Sequence, residues 1–169
     1  YDANGNQIYL PEHTTKVAAT GSAALIFQMF GGNEILCASN ADFLDNNLTQ
    51  TVFQDEGIAK TEKLWDGDGN SPMDATAFER LLALYPDCCV GISGKNTFSE
   101  EQIQTLKDND IPYLVLPDCS SAYNIDTAVQ IAGQAIGDNS DIGGLDAAKL
   151  AEEFIAYEEK LTKEVISKH

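Results

Sequence analysis

The chain has 169 residues, 43% of them apolar, which is enough for one ordinary core and too few for two full domains. Its formal charge of −17 argues against nucleic acid and anionic lipid as partners, because such a surface repels phosphate and gains nothing from counterion release. No run approaches the ~18 apolar residues of a membrane-spanning helix, and the start at Tyr1 carries neither a basic nor an apolar leader segment, so any signal or anchor is expected to have been removed.

Taken in chain order, a polar opening over 1–15 leads to a short strand-like run, Lys16 to Thr20. Gly21-Ser22 then opens an apolar helix, Ala23 to Phe30, that Gly31-Gly32 terminates. Glu34 to Ser39 reads as a second strand, which makes a βαβ unit and hence parallel pairing. From Asn40 to Met73 the chain turns polar, with isolated aromatics Phe43, Phe53 and Trp65; a stretch this long with little regular structure is more often functional than decorative.

Asp74 or Thr76 starts a helix whose Phe78, Leu81, Leu82 and Tyr85 form one apolar stripe, stopped by Pro86-Asp87. Cys88 to Ile92 is the third strand. Ser99 and Gln102 spell a capping box for a helix with Ile103 and Leu106 inward, and residues 113–116 form the fourth strand. Asn124 to Ile136 is another amphipathic helix, ended by Gly137. The last helix, Asp146 to about Ser167, puts Leu150, Phe154, Tyr157 and Leu161 on one stripe and extends about 33 Å. The regular alternation predicts a three-layer α/β/α lobe on a mostly parallel sheet, flavodoxin-like or Rossmann-like.

Four cysteines, Cys37, Cys88, Cys89 and Cys119, lack metal-ligand spacing. They read as buried free thiols, with a disulfide between Cys119 and one of the adjacent pair as the alternative outside the cytoplasm.

Several segments, in order, resemble the periplasmic and surface binding proteins that deliver cobalamin and ferric siderophores to ABC importers. These are DANGNQIYLPEHTTKVAA (2–19), the strand-helix-strand run over 16–43, AFERLLALYPDCCVGISG (77–94), IPYLVLP (111–117) and GQAIGDNSDIGGLDAAKLAEEFIAYEEKL (133–161). The resemblance implies an amino-terminal lobe over 16–145 and, over 146–169, the start of the rigid helix that joins two lobes. It also implies an extracytoplasmic binding protein, anchored at the membrane before processing, that needs no cofactor and takes a metal chelate to an ABC permease. In that family the ligand lies between the lobes, so this chain would supply one wall. Cys37 departs from the family by standing where the second strand commonly carries Gly, and the segment 40–73 is longer than usual. If no second lobe follows, a dimer through the exposed face of the last helix is the expectation.

In open parallel sheets, ligands bind beyond the carboxyl ends of the strands. The candidate ligand-binding residues are therefore Thr20, Gly21, Ser22, Asn40, Asp42, Phe43, Ser93, Gly94, Lys95 and Asp118, joined by Trp65 from the polar loop. Gly21-Ser22 could offer helix amides to an anionic group and Lys95 a charge, against an ordinary cap and a solvated lysine. Trp65 suits a planar stacking surface for a macrocycle or catecholate, against packing within its loop. Glu79 resembles the glutamate that the family docks on a permease arginine, and also suits the first turn of a helix.

Asp66-Gly-Asp68-Gly-Asn70 has the early spacing of a calcium loop but lacks its sixth-position Gly and its bidentate Glu, so a solvated turn is expected and no metal site is assigned. Asn47-Leu48-Thr49 fits a glycosylation sequon. His13 and His169 leave no convincing base for a nucleophile, and no phosphate-binding glycine motif follows a strand. Capture of a ferric siderophore, cobalamin or haem is the leading reading; a stand-alone surface module and a small α/β enzyme are the alternatives. A free metal ion is least favoured, because the usual histidine ligands are scarce.

Overall fold

The computed structural model describes residues 1–32, 34–46 and 60–168. Five parallel strands form one sheet in the order β3-β2-β1-β4-β5: β1 (Val17–Ala18), β2 (Leu36–Asn40), β3 (Glu62–Trp65), β4 (Cys88–Ile92) and β5 (Tyr113–Leu116). The helices are α1 (Gly21–Gly31), α2 (Ala41–Asp45), α3 (Ala75–Leu84), α4 (Glu100–Asp108), α5 (Ala122–Ile136) and α6 (Ala147–Ser167), with a 3-10 turn at Ser140–Ile142. The sheet is thus the mostly parallel α/β/α arrangement expected, ending in a long helix. Phe53 and the Asn47 to Thr49 sequon lie outside the described residues.

One strand was not expected. Glu62–Trp65 sits inside the polar stretch 40–73 and pairs with β2 as the outer strand. Its first two residues are charged, as edge strands often are: Glu62 meets Arg80 at 2.6 Å and Lys63 meets Asp45 at 2.7 Å. Only Leu64 and Trp65 turn inward. At the other edge, Asp2 is buried and its carboxylate accepts from the N–H groups of Asn4, Asn6 and Val115, while Ala3 N–H donates to Val115 O at 2.9 Å. The polar opening is a cap on the free edge of β5.

Alternation along the strands divides the core between the two faces of the sheet. Val17, Cys88, Val90, Leu114 and Leu116 join Phe27, Ile136 and Ala151 beneath α1, α5 and α6. Ala18, Ala38, Cys89, Leu64 and Trp65 join Leu81, Phe98 and Leu106 on the face of α3 and α4. Cys88 and Cys89 therefore point to opposite faces, and all four cysteines are free thiols. Burial pushes the Cys37 thiol up to about 11 and raises those of Cys88 and Cys89 well above the ordinary range.

The helix starts follow their caps. Asp74 accepts from Ala77 N–H, both arms of the Ser99–Gln102 capping box are present, and Asp146 accepts from Lys149 N–H. Two apolar stripes are shorter than their spacing predicts. Tyr85 is the left-handed C-cap of α3 (φ 49°) and is 63% exposed, because the helix ends one residue before it would face the sheet.

On α6, Leu150 and Phe154 pack, and Phe154 meets Phe30 edge-on at 5.9 Å. Tyr157 and Leu161 are exposed. The helix runs antiparallel to α5, since Gly133 abuts Ala147 and Ala151 while Asp126 reaches Glu158. Past the first turn of α5 no described residue covers it. A Cβ at Gly133 would stand 2.5 Å from that of Ala151, so the missing side chain is what lets the two helices approach.

Candidate functional site

Strand order reverses between β1 and β4, the two strands from which the chain winds outward in opposite directions. The crevice beyond their carboxyl ends is where open α/β sheets place ligands. Ser93, Gly94 and Lys95 follow β4 and are exposed, and Gly21 and Ser22 follow β1 and are half-buried. Asp118, after β5, lies close enough to Lys95 to feel its charge. Its carboxyl is held below the usual carboxylate range by the Ser120 hydroxyl and the Asn124 amide first, then by Ser120 N–H, with Lys95 adding to the effect. This side of the rim presents one cation and one firmly ionised carboxylate to solvent.

The β1–β2–β3 side is built differently. Asn40 is buried; its Oδ1 accepts from Gly21 N–H at 3.0 Å and its Nδ2 donates to Gly67 O at 2.9 Å. Gly67 O also accepts from Asp42 N–H. Gly69, at φ +72°, sits directly on Thr20 and Asn40: a Cβ there would be 2.7 Å from Thr20 Cβ and 2.9 Å from Asn40 Cβ. Thr20 is itself buried and its hydroxyl does not cap α1. The loop after β3 is thereby pulled over the strand ends, and Asn40 and Thr20 become its floor. Gly67 and Gly69 escaped the sequence reading. Their only signal was the Asp-Gly-Asp-Gly pattern, in which Asp68 does no more than fold back on Asn70.

Two of the aromatic candidates lie inside. Trp65 is 1% exposed, donates from Nε1 to Thr97 O at 2.9 Å and meets Phe98 edge-on at 5.4 Å. It therefore offers no stacking face, and the loop-packing alternative describes it. Phe43 is likewise buried, against the α1 face of the sheet. Asp42 remains exposed on the rim.

Glu79 is exposed on α3 but stands fifth in that helix, beyond the first turn, so no helix-dipole benefit explains it. His13 is engaged far from the rim, with Nδ1 at 3.0 Å from Asn139 Oδ1 and Nε2 at 3.4 Å from Asp141. Among the described residues, no group of three His, Cys, Asp or Glu side chains could hold a metal ion. No described helix is long and apolar enough to cross a membrane.

A periplasmic solute-binding protein from Veillonella parvula superposes with a TM-score of 0.72 at 15% identity, covering 99% of this chain and 46% of that one. This chain has the fold of one lobe of a periplasmic solute-binding protein. The molybdate-binding protein MolA of Haemophilus influenzae matches over 90% of this chain and 47% of its own (TM-score 0.62, 11% identity). Holo-ViuP matches over 97% of this chain and 49% of its own (TM-score 0.63, 18% identity). The solute-binding-lobe fold thus spans about half the length of each protein it matches. No protein-family model matches the sequence, and no curated protein matches it either.

Proposed function

We propose that this solute-binding lobe captures a metal chelate outside the cytoplasm and presents it to an ABC permease, acting by binding rather than by catalysis. The observation that carries the reading is the match of the fold, with the open rim it brings. Nearly the whole chain superposes on half of a solute-binding protein, and its open rim faces the switch point between β1 and β4. Ser22, Ser93, Gly94, Lys95 and Asp118 are the contacts, with Gly21 and Asp42 beside them. Thr20, Asn40, Phe43 and Trp65 support that surface from below. Lys95 suits a chelate that carries negative charge, such as a ferric siderophore or the propionates of haem, better than neutral cobalamin. In this reading Glu79 docks on a permease arginine, and α6 continues toward a second lobe that closes the cleft.

Equilibrium dialysis of haem, cobalamin and a panel of ferric siderophores against the 169-residue chain tests the proposal. One chelate should bind saturably and lose at least about tenfold in affinity on Lys95→Glu, a change of about 1.4 kcal/mol. Binding that ignores Lys95→Glu, or no saturable binding to any of them, would overturn the assignment of this rim.

A further inference from the structure

A second feature lies on the α5–α6 seam, where α6 leaves the lobe. From Glu159 to Lys168 every residue of the long helix is exposed, whereas Glu158 is partly buried, so Glu158 marks the last point of contact. Across the seam stands Asp126 of α5, within hydrogen-bonding reach. One oxygen of each carboxyl, Asp126 Oδ1 and Glu158 Oε2, is shielded from solvent and has no donor among the described residues.

Two carboxylates that face one another with no donor between them are mutually repulsive, and elsewhere such pairs settle by holding one proton in common. Among the described residues no cation stands at the pair, and the other ionisable groups lining the α5–α6 groove, Glu152 and Glu159, only add negative charge. Helix α1, which also packs on α6, has the sequence GSAALIFQMFG and contains no ionisable side chain. On α5 the ionisable groups are Tyr123 and Asp126 alone. On α6 itself, the residues three and four positions from Glu158 are Phe154, Ile155, Leu161 and Thr162, none of which is charged. The nearest cations in that helix, Lys160 and Lys163, are exposed.

We infer that Asp126 and Glu158 share one proton across the α5–α6 seam, forming a clip that holds the long helix to the lobe in acid and releases it as the proton is lost. The Glu158 carboxyl is raised from its ordinary value, first by the hydrogen bond to Asp126, then by burial and by the Asp126 charge. A carboxyl raised by folding stabilises the native state below its unfolded value, and that contribution disappears as pH rises through the folded one. The clip is therefore closed in mild acid and opens toward neutral pH. Its position gives this a mechanical meaning, because opening frees one more turn of the helix that carries the chain away from the lobe.

The test is urea unfolding of the 169-residue chain from about pH 4 to about pH 8, with hydrogen exchange of the α6 amides followed over the same range. Glu158→Gln replaces the shared proton with a permanent amide donor, and Asp126→Asn does so from the other side. Glu159→Gln removes the same charge one residue along without touching the pair. The folded-to-unfolded ratio of the wild type and of Glu159→Gln should fall several-fold more steeply with rising pH than that of either clip variant. Exchange beyond Glu158 should quicken over the same interval in the wild type only. The inference is overturned if Glu158→Gln and Glu159→Gln have the same pH profile, or if Asp126→Asn leaves the wild-type profile intact.

Discussion

The two halves of the carboxyl rim use similar small polar residues for opposite ends. On the β1–β2–β3 side, Asn40 and Gly69 draw the loop down until the Asn40 amide is engaged by the backbone and Thr20 is buried beneath it, leaving little surface for a ligand. On the β4–β5 side, Ser93, Gly94 and Lys95 stay in solvent and Asp118 is kept charged by its own loop. Being at the end of a strand is thus not sufficient for a binding role. What separates the halves is whether the loop beyond the strand covers the residue, as it does Thr20 and Asn40, or leaves it in solvent, as it does Ser93 and Lys95.

That contrast can be broken by substitution. Trp65→Ala should have the largest effect, destabilising by about 3–5 kcal/mol because a large buried ring and its bond to Thr97 are lost. It would be read as a lower urea midpoint. Next comes Asn40→Ala, expected to cost about 1–3 kcal/mol by leaving Gly21 N–H unpaired and removing one of the two donors to Gly67 O. Gly69→Ala follows at about 1–3 kcal/mol, since the new methyl group meets Thr20 and Asn40 at a positive φ.

Across the divide, Lys95→Ala should change stability by no more than about 0.5 kcal/mol while weakening chelate binding. A Lys95 variant that unfolds the lobe, or an Asn40 variant as stable as the wild type, would erase the distinction between the halves. The smallest effect belongs to Asp118→Asn. Folding lowers the Asp118 carboxyl, so its contribution is present above the unfolded value and is lost as pH falls through the folded one. Asp118→Asn should accordingly flatten only the acid limb of the stability profile, below the usual carboxylate range.

Much of the fold was legible locally. The capping box at Ser99 and Gln102, the stop at Pro86-Asp87 and the βαβ opening each rest on interactions between near neighbours, and each stands in the structure. The edge strand β3 was hidden because half of its residues are charged and its partners, Arg80 and Asp45, are far along the chain. Trp65 misled for a related reason. A tryptophan flanked by Asp, Gly and Asn looks solvated, yet the register shift at the end of β3 places it beside Leu64 on the α4 side of the core, against Thr97 and Phe98.

Sequence alone determined the class of the fold, the order of most elements and the location of the rim, because hydrophobic periodicity and caps act over a few residues and survive without knowledge of what they pack against. Only the tertiary structure decided which rim residues are floor and which are surface, where the stripe on α6 stops being covered, and that Asp126 and Glu158 meet. Those outcomes depend on side chains brought together across the sheet or the helix seam, where donors, acceptors and charges are matched by proximity in space rather than by spacing along the chain.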